Sequence, residues 1–150
     1  MKSKELLTFW LFLFSYSAVI ILSLTNFYYT RTIFYPGILI LLAGIGLRIY
    51  TKLLLGKFFH VNIVIHKDHQ MIKDGIYKYL RHPMYLANIF IFLGIAMTFV
   101  SYLGVIGTFI LVIPTTVLRI HREEKYLKEK FGSLYEDYQK RSKRMIPYLY

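Results

Sequence analysis

Long apolar segments restrict what this chain can fold into. Residues 6–24 carry no charged side chain, and residues 33–55 carry only Arg48 and Lys52. Either segment is long enough to cross the hydrocarbon layer of a bilayer as a helix, which takes about 20 residues. Lys2 and Lys4 precede the first segment, as in a signal peptide, but its apolar core is long and no small-x-small cleavage pattern follows. We therefore expect an integral membrane protein whose first span is retained.

Two further apolar segments, 86–100 and 102–118, are separated only by Ser101 and predict a helical hairpin. The first arm is too short to cross roughly 30 Å of hydrocarbon at about 1.5 Å per residue, so it should begin near Pro83. Residues 119–130 contain neither Gly nor Pro, so the last helix should continue to about residue 131 and end at Gly132. Pro114 predicts a local kink rather than a break, because neighbouring helices can satisfy the freed carbonyl.

The predicted fold is therefore all-α and polytopic, with four transmembrane helices at about 6–24, 33–55, 84–100 and 102–118, and no repeat or linker divides residues 1–150 into more than one domain. A net charge of +11 would suggest nucleic acid in a soluble protein, but all Lys and Arg residues except Arg31 and Arg48 lie near the N-terminus, in residues 51–85 and in the tail from residue 119. The positive-inside rule places both termini and the middle loop in the cytoplasm. We expect the basic surface to face anionic membrane lipids and not nucleic acid.

Some chemistries are excluded by composition and spacing. The chain has no Cys, hence no disulfide, no thiolate nucleophile and no thiolate metal site. Its five His residues follow no metal-ligand spacing, so we expect no metal. It also lacks a glycine-rich phosphate loop, so a cofactor would not be held on a Rossmann sheet.

A dense polar and aromatic stretch, residues 75–85, lies directly before the third apolar segment. Gly75 can adopt a backbone angle closed to other residues, and Pro83 fixes its own φ and restricts His82 toward extended backbone. Pro is favoured in the first turn of a helix. The stretch predicts a shaped loop that presents Arg81 and His82 at the start of a helix. Taken alone, the same residues would also suit an interfacial anchor.

A second polar block, residues 119–127, begins where the fourth apolar segment ends. The two blocks together resemble the isoprenylcysteine carboxyl methyltransferase family and its prokaryotic relatives, integral membrane enzymes that use S-adenosylmethionine. The resemblance covers residues 42–147, leaves the first span unsupported, and includes a Gly-x-x-x-Arg pattern at Gly44 to Arg48. Further matching positions follow the second block: Phe131, Gly132, Tyr135, Tyr138, Ile146 and Pro147.

The resemblance implies a methyltransferase of a prokaryotic cell membrane, with S-adenosylmethionine as cofactor and a lipophilic or prenylated small molecule as acceptor. It implies cofactor-binding residues in the cytoplasmic loop and on the last long helix: His69, Gln70, Met71, Ile72, Tyr77, His82, Pro83, Met84, Tyr85 and Glu123. Arg119 matches the family's substrate-side arginine and is the implied catalytic residue. The chain departs from the pattern at Asn62, where some members have Gln.

The chemistry of methyl transfer fits such a site, although without the family resemblance Arg119 and Glu123 would more simply form an ordinary interfacial ion pair. Methyl transfer to an anion needs alignment of the reacting atoms and exclusion of water more than acid or base chemistry. Arg119 and Glu123 are four residues apart and share one helix face, so both can address one cavity. Glu124 points about a hundred degrees away. We expect it to pair with a basic residue of the loop or tail, the tail to fold back over the loop, and Arg48 to find a partner or reach the membrane surface.

Other functions fit parts of the pattern. A phospholipid or thiol methyltransferase would share the architecture, and an NADPH-dependent reductase-like protein would share the C-terminal motif but needs many upstream spans. A non-enzymatic four-span transporter or assembly subunit explains the helices but not the polar loop. A transporter should also place an ionisable residue at the bundle midplane, which the apolar segments lack. The sequence leaves the oligomeric state open.

Overall fold

The computed structural model describes residues 3–25, 30–56 and 73–146. Helix α1 comprises Ser3–Thr25 and α2 Arg31–Leu55; after a 3-10 turn at Gly75–Lys78 follow α3 (Pro83–Thr98), α4 (Tyr102–Gly107), α5 (Ile113–Phe131) and α6 (Ser133–Arg141). A π turn, Thr108–Val112, joins α4 to α5 in one continuous helix. Within the described residues no strand is formed, and the predicted all-α class is confirmed.

Among the residues that the structure describes, three helical segments are long and apolar enough to cross a membrane: Leu6–Thr25, Arg31–Leu55 and Tyr102–Phe131. The third predicted span, α3, is a shorter apolar helix of 16 residues, which corresponds to about 24 Å. It ends at Thr98, two residues before the predicted end, because Phe99 and Val100 form the turn of the hairpin and Val100 has a φ of +50°.

Ser101 fixes the tip of this hairpin. Its side-chain oxygen accepts a hydrogen bond from the Gly104 amide at 3.0 Å, the usual N-cap contact at the start of a helix. Its hydroxyl also donates to the Leu22 carbonyl of α1 at 3.0 Å. The single residue that separates the two apolar segments thus begins α4 and attaches the hairpin to the first helix.

The long helix Tyr102–Phe131 accommodates Pro114 without a break. Pro114 lacks an amide hydrogen, and the π turn directly precedes the first turn of α5 in which it lies. The wider hydrogen bonding of a π turn commonly marks such irregular positions in helices. The helix ends as predicted at Gly132, which has a φ of +53° and donates its amide hydrogen to the Lys128 carbonyl at 2.9 Å.

Glycines allow α2 and α3 to approach backbone to backbone. A Cβ added at Gly94 would lie 2.5 Å from the Leu41 amide nitrogen, and one at Gly44 would lie 2.8 Å from the Ile91 nitrogen. Small residues give this close packing between membrane helices, where no hydrophobic driving force brings helices together. The glycine of the Gly44-x-x-x-Arg48 pattern therefore allows α2 to pack closely against α3.

α1 packs on the opposite side, against α3 and the long helix, around a core of Val19, Phe92 and Val112. The outward faces remain apolar: Phe14 on α1 is 67% exposed and Leu53 on α2 is 74% exposed. Because so many large apolar side chains face outward, these surfaces are suited to contact with lipid. The bundle positions its polar residues at one end, where α3 begins and α5 continues beyond the apolar segment.

Candidate functional site

In the loop before α3, Gly75 and Pro83 have the predicted roles, but His82 is not extended, since its φ is −127° and its ψ is 51°. Gly75 begins the 3-10 turn and has a φ of +58°, a backbone angle that residues other than glycine rarely adopt. Pro83 occupies the first turn of α3, where its missing amide hydrogen breaks no helical hydrogen bond. As a result Tyr85 lies in the first turn of α3, with its hydroxyl directed at α5.

The C-terminal tail folds back over this loop, as expected. The Lys143 amide donates to the Tyr79 carbonyl at 2.8 Å, and the Arg81 amide donates to the Lys143 carbonyl at 2.7 Å. The His82 amide then donates to the Arg144 carbonyl at 2.9 Å. Backbone hydrogen bonds of this kind do not depend on the side chains, so they fix the direction of the loop directly.

Two buried tyrosines, Tyr138 of the tail and Tyr77 of the loop, join these two segments. Tyr138 of α6 donates its hydroxyl hydrogen to the Tyr77 carbonyl at 2.6 Å. Burial raises the pKa of Tyr138 to about 12, although the charge of Arg81 opposes the rise, so this donor stays protonated at neutral pH. Burial also raises the pKa of Tyr77, and the negative charge of Glu123 adds to the effect.

Glu124 joins the loop, the long helix and the tail through one buried carboxylate. Its side chain is 6% exposed, and its Oε1 accepts a hydrogen bond from Arg81 Nε at 2.8 Å. Its Oε2 accepts from Arg144 Nε at 2.9 Å, and His82 Nε2 lies 3.4 Å from Oε1. The expected pairing of Glu124 with basic residues of the loop and tail is confirmed.

Arg81 is also bound to the tail backbone. Its guanidinium donates to the Gln139 carbonyl at 3.2 Å and to the Ser142 carbonyl. With Glu124 as a third partner, the guanidinium is turned toward the tail. The sequence predicts that the loop presents Arg81 at the start of α3, and in the structure Arg81 holds the loop against the tail.

Arg119, Tyr85 and Glu123 form a hydrogen-bonded line. Arg119 Nε donates to the Tyr85 hydroxyl oxygen at 3.0 Å, and the Tyr85 hydroxyl donates to Glu123 Oε2 at 2.8 Å. Arg119 is 7% exposed, so its charge lies within the bundle. Arg119 and Glu123 lie one turn apart on the same face of α5, and the Tyr85 phenol from α3 connects their side chains. We call these three residues the polar line.

α1 contributes residues that the sequence reasoning did not assign to the site. The Arg119 guanidinium carbon lies 5.1 Å from the ring centre of Phe12 and 5.9 Å from that of Phe9. On the next turn, Arg122 Nη1 donates to the Thr8 hydroxyl at 2.7 Å. The helical spacing of aromatic residues along α1 could have indicated this face, but without Arg119 opposite it the spacing indicates packing only.

Arg48 has the partner that a charge within a membrane helix requires. Its guanidinium donates to the Asn88 side-chain oxygen on α3. Asn88 is buried and lies one turn beyond Tyr85 on the same helix. The Gly-x-x-x-Arg pattern therefore joins α2 to α3 by close packing and by one polar contact. Asn88 was not singled out from the sequence.

The described residues include seven of the sequence-predicted site residues: Tyr77, His82, Pro83, Met84, Tyr85, Arg119 and Glu123. They lie on the loop, the start of α3 and the middle of α5. His69, Gln70, Met71 and Ile72 lie outside the described residues, as does the departure at Asn62. The fold and this set of polar residues define an integral membrane protein of several helices with a polar site at one end of the bundle.

Comparison with known proteins identifies the family. The model of the isoprenylcysteine carboxyl methyltransferase (ICMT) family matches residues 37–129. A protein-S-isoprenylcysteine O-methyltransferase of Schizosaccharomyces pombe is 36% identical over 81 residues, 54% of this chain and 34% of that protein. The protein-S-isoprenylcysteine O-methyltransferase B of Arabidopsis thaliana is 27% identical over 115 residues, 75% of this chain and 58% of that protein. The chain belongs to the isoprenylcysteine carboxyl methyltransferase family.

The fold is shared with a solved eukaryotic member. The structure of the eukaryotic intramembrane Ras methyltransferase ICMT matches with a TM-score of 0.81 at 23% sequence identity, over 89% of this chain and 52% of that one. The chain spans only part of the length of its relatives: 34% of the Schizosaccharomyces pombe protein and 58% of the Arabidopsis thaliana protein. Helix α1 precedes the residues that the family model matches.

Proposed function

We propose that this protein transfers a methyl group from S-adenosylmethionine to a lipophilic acceptor, with the carboxylate of an isoprenylcysteine-like molecule as the methylated group. The observation that carries the proposal is the line from Arg119 through Tyr85 to Glu123. It places a buried cation beside the apolar bundle and a carboxylate one turn further along α5. Relatives named as protein-S-isoprenylcysteine O-methyltransferases support the choice of reaction.

The chain's residues suit S-adenosylmethionine on the loop side of this line. Glu123 supplies a carboxylate for a positively charged or hydroxyl group of the cofactor, and Tyr77 and Tyr85 supply aromatic faces. The backbone and side chains of residues 69–72 and 82–84 are the further cofactor contacts that the family pattern suggests. The tail covers this loop through the bonds at Arg81 and His82, an arrangement that suits exclusion of water from a reactive cofactor.

On the bundle side, Arg119 is the proposed contact to the acceptor. When bound, S-adenosylmethionine supplies a methyl carbon on a positively charged sulfonium, and its transfer to a carboxylate oxygen requires no proton to be removed. Arg119 can orient that carboxylate through donors of its planar guanidinium. Tyr85 fixes the guanidinium from one side, so the chain contributes alignment in place of acid or base catalysis.

The orientation in the membrane follows from the same proposal. Along the sequence Lys and Arg are concentrated near the N-terminus, in residues 51–85 and in the tail from residue 119, and we place both termini and the middle loop in the cytoplasm by the positive-inside rule. The cofactor would then enter from the cytoplasm, and the acceptor would arrive from the bilayer.

The direct test uses purified protein. Calorimetry should detect binding of S-adenosylmethionine and no binding of a nicotinamide dinucleotide, and a farnesylated cysteine analogue should be methylated. Binding of the dinucleotide alone would favour the reductase-like alternative. Binding of S-adenosylmethionine with methylation of phospholipids but not of the farnesylated analogue would keep the methyltransferase and change the acceptor.

A further inference from the structure

Helix α1 runs antiparallel to the long helix and meets it at successive turns near the polar line. Besides the contact of Phe9 with Arg119, three residue pairs follow one another along the two helices: Thr8 with Arg122, Phe12 with Arg119, and Ser15 with Thr115. From one pair to the next, the position on α1 advances by four residues and then by three. The position on α5 moves back by three residues and then by four. Such matched spacing is that of two helix faces in continuous contact.

The outer two pairs are hydrogen bonds. Arg122 Nη1 donates to the Thr8 hydroxyl at 2.7 Å, and the Ser15 and Thr115 hydroxyl oxygens lie 3.1 Å apart. They fix the register of the two helices on both sides of Phe12. A slip of the helices would therefore require both hydrogen bonds to break.

The middle pair brings an aromatic ring to the proposed acceptor-binding cation. Phe12 lies 5.1 Å from the Arg119 guanidinium carbon, within the range of a cation–π contact. Its ring also meets the Tyr85 ring edge to face at 6.1 Å. Phe12 thus contacts the guanidinium and the phenol that accepts its hydrogen bond. Phe14, two residues further on, points outward and is 67% exposed.

We infer that Phe12 is a positioning residue for Arg119 and that α1 forms one side of the acceptor site. The inference rests on the proposed function, because it assigns the acceptor to Arg119. Tyr85 on α3 holds the guanidinium through Nε and Phe12 on α1 lies against it, so contacts from two helices fix the orientation of the guanidinium. Loss of the ring should leave cofactor binding intact and disturb only the alignment of the acceptor.

Kinetics of three variants test the positioning role. With a farnesylated cysteine analogue, Phe12→Leu should lower kcat/KM for the acceptor about tenfold, the size of a well-buried cation–π contact. The KM for S-adenosylmethionine should stay unchanged, and Phe12→Tyr should restore most of the loss because it keeps the aromatic face. The matched control is Phe14→Leu on the outward face of α1, which should behave as wild type. Equal losses in Phe12→Leu and Phe14→Leu, or no loss in Phe12→Leu, would overturn the inference.

A thermal double-mutant cycle tests the contact without turnover. Phe12→Leu, Arg119→Met and the double variant are compared by their unfolding midpoints in detergent. If Phe12 contacts Arg119, the midpoint of the double variant falls by less than the sum of the single shifts. Additive shifts would overturn the inference. If wild-type protein failed to methylate the analogue while the shifts were non-additive, the proposed acceptor would be wrong and the positioning of Arg119 by Phe12 would stand.

Discussion

At the scale of single residues, two consecutive glutamates occupy different surroundings. Glu123 accepts a hydrogen bond from the Tyr85 phenol, whereas Glu124 is buried among basic groups of the loop and tail. Neighbouring helix positions point about a hundred degrees apart, which explains how adjacent residues reach different partners. We therefore expect substitution of Glu123 to affect ligand binding and substitution of Glu124 to affect stability.

Removal of a proposed cofactor contact should weaken binding directly. Glu123→Ala and His82→Ala should each lower the affinity for S-adenosylmethionine by about 1 to 3 kcal/mol, the usual loss when a buried polar group loses its partner. Isothermal titration measures the effect. Glu129→Ala, at an exposed position of the same helix, is the control. Wild-type affinity in both site variants would show that the cofactor binds elsewhere.

Arg119 should separate binding from turnover. We expect Arg119→Ala to keep nearly the wild-type affinity for S-adenosylmethionine and to lose most methyl transfer, because the acceptor loses its cation. Arg119→Lys should recover only part of the activity, since an ammonium cannot reproduce the planar donor geometry of guanidinium. Calorimetry and turnover are measured on the same preparations. Abolished cofactor binding in Arg119→Ala would instead assign this residue to the cofactor.

Glu124 should act through stability. Glu124→Ala leaves Arg81 and His82 in a poorly solvated environment without their carboxylate, and breaking a buried pair of this kind costs about 3 kcal/mol. Thermal unfolding measures the loss. Asp137→Ala serves as control because its ion pair with Lys140 is exposed, and it should change the midpoint little. Equal midpoints for the two variants would contradict the structural role of Glu124.

At the scale of helices, the contact between α2 and α3 depends on glycine. Gly94→Ala would place a methyl group against the Leu41 backbone, whereas Gly46→Ala on α2 has nothing within 4 Å. We expect the first to destabilise by about 1 to 3 kcal/mol through overpacking. The second should be neutral or stabilising, because Ala has the higher helix propensity. Unfolding in detergent compares them, and equal stability would mean that the backbones are not in contact at Gly94.

Helix ends could be predicted from the sequence, and contacts between helices mostly could not. Pro83 and Gly132 mark boundaries because each limits its own backbone, independently of the rest of the chain. The contact of Phe12 with Arg119 and the place of Tyr85 beside Glu123 depend on how the helices align in three dimensions. Local sequence carries little information about that alignment. The polar residues of the site could be predicted from the family pattern, whereas their contacts in other helices are visible only in the fold.

At the scale of the whole molecule, the charge distribution predicts the topology. Tags at Met1, near Lys67 and at Tyr150 should report the cytoplasm, and a tag near Asn26 should report the opposite side. Accessibility of introduced cysteines to a membrane-impermeant reagent gives the measurement, since the chain has no Cys of its own. A reporter near Lys67 on the outer face would contradict the four-span arrangement and separate the loop from the soluble cofactor.

The closure of the loop by the tail has a consequence for biosynthesis. Lys143 and Arg144 bind the backbone of the loop that precedes α3, yet they are synthesised after the apolar helices that the structure describes. During translation these apolar helices can therefore enter the membrane while the loop still lacks these hydrogen bonds. The loop reaches its final shape only after the tail has been synthesised and has formed these hydrogen bonds. Membrane insertion and completion of the site are therefore two successive events.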